Sequence, residues 1–284
     1  MSECASKSSC SRESCEGCPS HAAAAGQQQA AKSDFIVNFN EKSSVKHVIG
    51  IVSGKGGVGK SSVTSLLASA LAKQGLSVGI LDADITGPSI PKMFGVKGPV
   101  YGTEEGTIVP ETANGIKVMS MNLILDNEET PVIWRGPVIA GVVKQFYTDM
   151  IWGDIDVMLV DMPPGTGDVP LTVFQSLPVE GIIVVTSPQE LVSMIVKKAV
   201  VMADKMDIPV LGLVENYSYF ECPDCGRRHE IFGHSNIDEV ASSMGLEVLA
   251  RLPIDPAIAK AADAGRIYDV NVDGFENVAK AVAE

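Results

Sequence analysis

The chain has 284 residues, a net charge of −13, and 45% hydrophobic and 20% charged side chains. These are the proportions of an ordinary globular protein, and no apolar run approaches the roughly 18 residues of a membrane span. An acidic balance without a long basic run argues against nucleic acid, whose phosphates demand many Lys and Arg, and is read simply as solubility.

Residues 1–32 are rich in Ser, Ala, Gln and Cys and nearly devoid of large apolar side chains. Such a segment buries too little surface to offset its ordering entropy, so a flexible arm is expected. The arm lacks the short apolar core of a secretory signal, which points to the cytoplasm. Residues 33–284 are expected to form one domain.

That domain opens with Val48-Ile49-Gly50-Ile51-Val52, an apolar run of the kind buried on both faces of a parallel sheet. A glycine loop follows, then a helical pattern from Ser61 to Gln74 ended by Gly75 as C-cap. Further strands are predicted at Ser77–Asp82, Ile116–Met121, Ile155–Asp161, Gly181–Thr186, Val210–Val214 and Glu247–Leu252. Helices are predicted at Val138–Ile151, Gln189–Lys205, Ile237–Met244, Pro256–Ala264 and Phe275–Ala283. This alternation implies an α/β fold, a mostly parallel sheet with helices on both faces, and ligands beyond the carboxyl ends of the strands. The glycine loop, Asp82, Asp84 and Asp161 all fall at such ends.

Gly54-Lys55-Gly56-Gly57-Val58-Gly59-Lys60-Ser61 fits G-x-x-x-x-G-K-[ST] in full. Glycines let backbone N–H groups close around phosphate oxygens, and the helix N-terminus adds its positive end. ATP is the expected ligand. Lys60 would meet the β- and γ-phosphates, and Ser61 would ligate Mg2+. Lys55 is not needed to form the loop and reads as a functional charge. Asp161, before Met162-Pro163-Pro164-Gly165-Thr166-Gly167, suits a water-mediated magnesium contact, and Asp84 suits orientation of the attacking water.

The six cysteines fall into Cys4, Cys10, Cys15 and Cys18, then Cys222 and Cys225. In a reducing compartment such clusters point to metal or redox chemistry. One C-x-x-C supplies two thiolates where an iron–sulfur cluster takes four, so a two-fold homodimer would complete the set. A zinc knuckle with His229 and His234, a thioredoxin-like pair and two inert thiols in a turn all stay open from these residues.

The loop resembles the deviant Walker A of SIMIBI-class P-loop ATPases, which include MinD, ParA and the nitrogenase iron protein. Leu81-Asp82-Ala83-Asp84-Ile85-Thr86-Gly87-Pro88-Ser89, Pro131-Val132-Ile133-Trp134-Arg135-Gly136-Pro137, Val160–Asp168, and Glu215-Asn216-Tyr217 leading into Cys222-Pro223-Asp224-Cys225-Gly226 sharpen this. The chain is thereby similar to Mrp/Nbp35 (ApbC-like) iron–sulfur cluster carriers over roughly His47–Ala264. The resemblance implies nucleotide contacts along Gly54–Ser62, Ser62 included, and an adenine site near Asn216 and Pro253. It places Asp84 in switch I and Asp161 in switch II, both near magnesium. It also implies that Lys55 reaches the partner subunit's nucleotide in a homodimer, and that Cys222 and Cys225 hold a shared [4Fe–4S] cluster passed to apo iron–sulfur proteins. Cys4, Cys10, Cys15 and Cys18 resemble an N-terminal ferredoxin-like set, although their C-x5-C-x4-C-x2-C spacing departs from the usual one. The rival reading is a MinD/ParA-like spatial-organisation ATPase with a structural zinc site. The acidic C-terminal stretch lacks a basic membrane-binding helix, and the net charge lacks a DNA-binding face.

Overall fold

Strand β1 (Ser43–Val52) is the middle strand of the main sheet. Val48 and Val52 face one hydrophobic core, while Ile49 and Ile51 face the other, as the period of two along a strand requires. The computed structural model describes residues 36–284 apart from Thr86, Glu105, residues 126–133, Arg135, Thr166, residues 189–191, residues 272–273 and Glu284. The expected arm over residues 1–32, with Cys4, Cys10, Cys15 and Cys18, lies outside the described residues, as does most of the 131–137 segment.

Strands β2 (Val78–Asp82), β4 (Lys117–Met119), β6 (Gly153–Asp161), β7 (Gly181–Thr186), β8 (Val210–Glu221) and β10 (Val248–Pro253) join β1 in the order β10-β8-β7-β1-β6-β2-β4. Every neighbouring pair on that path is parallel. Short β9 (Arg228–His229) pairs antiparallel with the end of β8. Strands β3 (Thr107–Ile108) and β5 (Met150–Ile151) form a separate parallel pair.

Parallel strands need crossovers, and helices supply them. Helices α3 (Gly136–Thr148), α4 (Asp168–Ser176), α5 (Val192–Lys205) and α6 (Ile237–Met244) cover one face. They bring Val143, Phe146, Phe174, Val196 and Ile237 onto Val48, Met158, Val160 and Ile182. Helices α1 (Lys60–Lys73) and α8 (Glu276–Ala283) cover the other, with Val63, Leu67, Leu71 and Val278 on Ile49, Ile51, Ile80 and Leu159. Short α2 (Ile90–Phe94) and α7 (Pro256–Asp263) complete that side. Burying one such side chain contributes about 1.5–3 kcal/mol. The expected doubly covered parallel sheet is what the residues build.

Several boundaries differ from expectation for local reasons. Helix α4 was not anticipated because Pro170 interrupts its pattern, yet Pro170 sits in the first turn, where its missing N–H has no intrahelical partner anyway. Helix α3 ends at Thr148 rather than Ile151, because Met150 and Ile151 pair with Thr107 and Ile108. Strand β8 continues beyond Val214 to Glu221. The C-cap is Gln74 rather than the predicted Gly75, which follows it in a left-handed turn with φ +89° and donates its N–H to the Ala72 carbonyl at 3.0 Å.

Candidate nucleotide site and cysteine hairpin

After Val52 the chain turns through Ser53–Gly59 into α1, the strand–loop–helix order that the glycine motif requires. Gly57 and Gly59 have φ of +81° and +76°, a left-handed backbone open to glycine. A β-carbon on Gly54 would collide with the Ile195 side chain and stand 3.0 Å from the Ile195 carbonyl oxygen, so hydrogen alone fits where the loop meets α5. Gly59 is the N-cap of α1, and the first-turn amides of that helix have no intrahelical acceptor. Gly56, Gly57, Gly59, Lys60, Ser61 and Ser62 line a cavity of about 260 Å³, joined by Asp84, Ser89, Met93 and Pro164. Lys55 lies at the outer turn of the loop, partly exposed, beside exposed Gly56 and Gly57.

Asp161, at the carboxyl end of β6, gathers the start of α1 around itself. Its Oδ2 lies 2.7 Å from Lys60 Nζ and accepts from Ser61 Oγ at 2.6 Å, while Oδ1 accepts from Thr64 Oγ1 at 2.7 Å. Lys60 is 6% exposed and Asp161 0%, so the ion pair is withdrawn from water. Thr64 was not singled out in the sequence. Its only signal is that it follows Lys60 by one helical turn and shares its face.

Strands β2 and β6 run in register with Asp82 opposite Asp161. Asp82 is fully buried; it accepts the Asp84 N–H at 3.2 Å and Ser120 Oγ at 3.0 Å. Burial, then the Asp161 carboxylate, push its carboxyl up to about 8, against the pull of Lys60 and Ser120. Burial thus favours the protonated form of Asp82, and Asp84 is the acid of this pair that lines the cavity.

The residues present fit a magnesium nucleotide. The glycine cradle, the helix start, Lys60 and Ser61 line one cavity, and buried Asp161 holds the last two. Ser53, another of its lining residues, carries a buried Oγ without a hydrogen-bond partner among the described residues. Such an atom in a native fold calls for an explanation, and a ligand at this loop supplies one. Asn216 is buried in β8 and props the loop from behind, its Nδ2 donating to the Val58 carbonyl at 3.0 Å. Pro253 closes β10, opposite Tyr219 of β8.

Beyond Glu221 the chain makes the turn Cys222-Pro223-Asp224-Cys225-Gly226 and returns as β9. Gly226 has φ +67°, its N–H donates to the Cys222 carbonyl at 2.8 Å, and the Cys222 N–H donates to the Arg227 carbonyl at 3.0 Å. Both cysteines are free; Cys225 is exposed and Cys222 partly so. The backbone N–H of Asp224, then that of Cys225 and the Cys225 thiol, hold the Cys222 thiol below its usual value. A turn whose amides already point at a thiol sulfur is prepared for a thiolate ligand.

The zinc knuckle considered for Cys222, Cys225, His229 and His234 is not assembled. Among the described residues no three His, Cys, Asp or Glu side chains come together as a metal-holding group. The β8–β9 pairing sets His229 opposite Phe220, and His234 Nδ1 lies 3.3 Å from Glu230 Oε2. The thioredoxin-like reading lacks its helix, since the pair joins two strands. No helix among the described residues is long and apolar enough to cross a membrane.

A family model described as ParA: NUBPL iron-transfer P-loop NTPase matches residues 44–284. A protein named iron-sulfur cluster carrier protein from Clostridium perfringens is 44% identical over 271 residues, which span 93% of this chain and 91% of that one. Its namesake in Methanocaldococcus jannaschii is 44% identical over 269 residues, spanning 93% and 90%. Among solved structures, a nucleotide-binding protein from Archaeoglobus fulgidus in complex with ADP matches with a TM-score of 0.74 at 45% identity, over 82% of this chain and 91% of that one. The cell-division ATPase MinD of Pyrococcus furiosus, TM-score 0.60 at 22% identity over 83% and 98%, shares the fold.

Proposed function

The chain belongs to the NUBPL iron-transfer P-loop NTPases of the ParA group, and from that premise we propose that it is a homodimeric ATPase that carries a [4Fe–4S] cluster to apo iron–sulfur proteins. The observation that carries this reading is the exposed Cys222–Cys225 turn on a strand that also holds the nucleotide loop. One chain offers two thiolates there and a cluster takes about four, so two chains meeting on a two-fold axis would complete its ligands.

In this reading ATP and magnesium engage the Gly54–Ser62 loop. Lys60 and Ser61 would turn from Asp161 to the phosphates and the magnesium, Asp161 would hold the magnesium through water, Asp84 would bind near it and orient the attacking water, and Ser53 would gain a partner. Bound magnesium neutralises phosphate charge during transfer of the γ-phosphoryl group. Lys55 reaches the nucleotide of the partner subunit, which links ATP binding to dimer closure, while Asn216 and Pro253 border the adenine. Hydrolysis relaxes the dimer and alters exposure of the cluster, a switch-like use of a slow reaction. Residues 1–32 serve as an arm on the ATPase domain of residues 33–284, in the cytoplasm, and Cys4, Cys10, Cys15 and Cys18 are candidate ligands of a second cluster. Unchanged iron content after removal of residues 1–32 would withdraw that second cluster.

Transfer tests the function directly. Cluster-loaded protein is mixed anaerobically with an apo enzyme whose activity needs a [4Fe–4S] cluster. The wild type restores activity and the Cys222→Ala/Cys225→Ala variant does not; equal restoration by both would sink the proposal.

A further inference from the structure

Strand β8 contacts the nucleotide loop from its middle, through Asn216 and Tyr217, and carries the cysteine turn at its carboxyl end. At Glu215 it is an inner strand, with Thr186 of β7 on one side and Arg251 of β10 on the other, after one earlier register shift against each neighbour. Beyond Glu215 the register breaks. Residue Tyr219 stands opposite Pro253, so β8 advances from 215 to 219 while β10 advances only from 251 to 253. Asn216, Tyr217 and Ser218 thus stand against Leu252 alone, a surplus of two residues that forms a bulge beside the loop, and bulges of this kind re-aim side chains next to active sites.

Two side chains of the bulge touch the loop. Asn216 holds the Val58 carbonyl. The Tyr217 ring abuts Gly59, where an added β-carbon would stand 2.7 Å from Tyr217 Oη and 3.1 Å from Cζ, besides meeting Asn216 Nδ2. Tyr217 has φ +60°, a left-handed backbone that an aromatic residue adopts only when its surroundings impose it.

The root of the bulge is clamped. Glu215 is fully buried. Its carboxylate accepts from Ser218 Oγ at 2.5 Å and from Ser235 Oγ, which ties together the outgoing and returning ends of the segment that bears the cysteines. Cys222 follows Tyr217 by five residues, about 16 Å of extended chain.

We propose that the Asn216–Ser218 bulge is a positioning element that couples the nucleotide loop to the cysteine hairpin, with Tyr217 as its contact on the loop. It rests on the nucleotide reading above and adds a route within one chain to the dimer closure already described. Gly59 is both the N-cap of α1 and the residue against which Tyr217 packs. Movement of Gly59 as the loop closes on phosphate displaces Tyr217, and the clamped hairpin follows as one unit.

The test uses the full chain without cluster, held reduced. Alkylation of Cys222 is followed by peptide mass spectrometry at fixed pH, with and without saturating MgATP, and nucleotide affinity is measured on the same samples. In the wild type MgATP changes the Cys222 rate by about fivefold. Tyr217→Gly, which the left-handed backbone accepts, binds nucleotide but loses that dependence, and so does a second variant, Tyr217→Asn. Tyr217→Phe, which keeps the ring, restores it. A wild type that binds MgATP with an unchanged Cys222 rate overturns the coupling, as does either small variant that binds nucleotide and keeps the wild-type dependence. A wild type that binds no nucleotide removes the underlying reading, and the coupling with it.

Discussion

Lys60 Nζ and Asp161 Oδ2 form a 2.7 Å ion pair sealed from solvent at the junction of the nucleotide loop and β6. A buried pair is held by its geometry, and deleting one partner strands the other charge. Lys60→Ala is therefore expected to abolish nucleotide binding and also to lower the stability of the nucleotide-free protein by about 3 kcal/mol. Replacing both partners, as Lys60→Met/Asp161→Leu, should recover most of that stability without recovering binding. Urea unfolding together with nucleotide titration separates the two effects; a double variant no more stable than the single ones would contradict the burial argument.

Asp82 sets a pH dependence of known sign. Its carboxyl titrates at about 8 in the folded chain against an ordinary value of 3.8. Between those values the folded state keeps a proton that the unfolded state releases, so this group's contribution to stability falls as pH rises and levels off above about 8. Asp82→Asn removes the effect. Its stability relative to the wild type should improve between pH 6 and pH 9, as read from unfolding midpoints; a difference independent of pH would show that Asp82 is ionised in the fold.

Two loop glycines should respond differently to alanine. At Gly54 the new methyl meets Ile195 of α5, side chain and carbonyl, whereas at Gly56 nothing lies within 4 Å. Gly54→Ala is expected to destabilise by about 2 kcal/mol through overpacking, and Gly56→Ala by less than about 0.5 kcal/mol. Thermal unfolding of the pair checks this, and equal losses would mean that the loop is not wedged against α5.

The Cys222 thiol is expected to react at lower pH than an ordinary cysteine, because the Asp224 N–H, first among its neighbours, favours the thiolate. Asp224→Pro deletes that donor and should move the alkylation midpoint of Cys222 upward. A midpoint that stays in place would locate the cause elsewhere in the turn.

What the sequence made legible was what is local. Gly54–Ser61 declares its chemistry within eight consecutive residues, and Asp161 stands at the end of an unmistakable strand. The grip of Thr64 on Asp161, the upward shift of the Asp82 carboxyl and the prop from Asn216 to Val58 depend on which strands lie side by side, and no local pattern reports that. Pro170 hid α4 because proline at a helix start looks, in sequence, like proline in a loop. His229 and His234 suggested a metal knuckle by spacing alone, and the pairing of β9 with β8 takes His229 out of that arrangement.

Iron analysis decides whether Cys222 and Cys225 from two chains share one cluster. Protein is reconstituted anaerobically with iron and sulfide. Iron, acid-labile sulfide and sedimentation are then measured for a chain lacking residues 1–32, alone and with Cys222→Ala/Cys225→Ala. About four iron and four sulfide per dimer are expected, with loss of both in the cysteine variant. Equal iron in the two proteins, or uptake of zinc alone, would contradict a shared cluster.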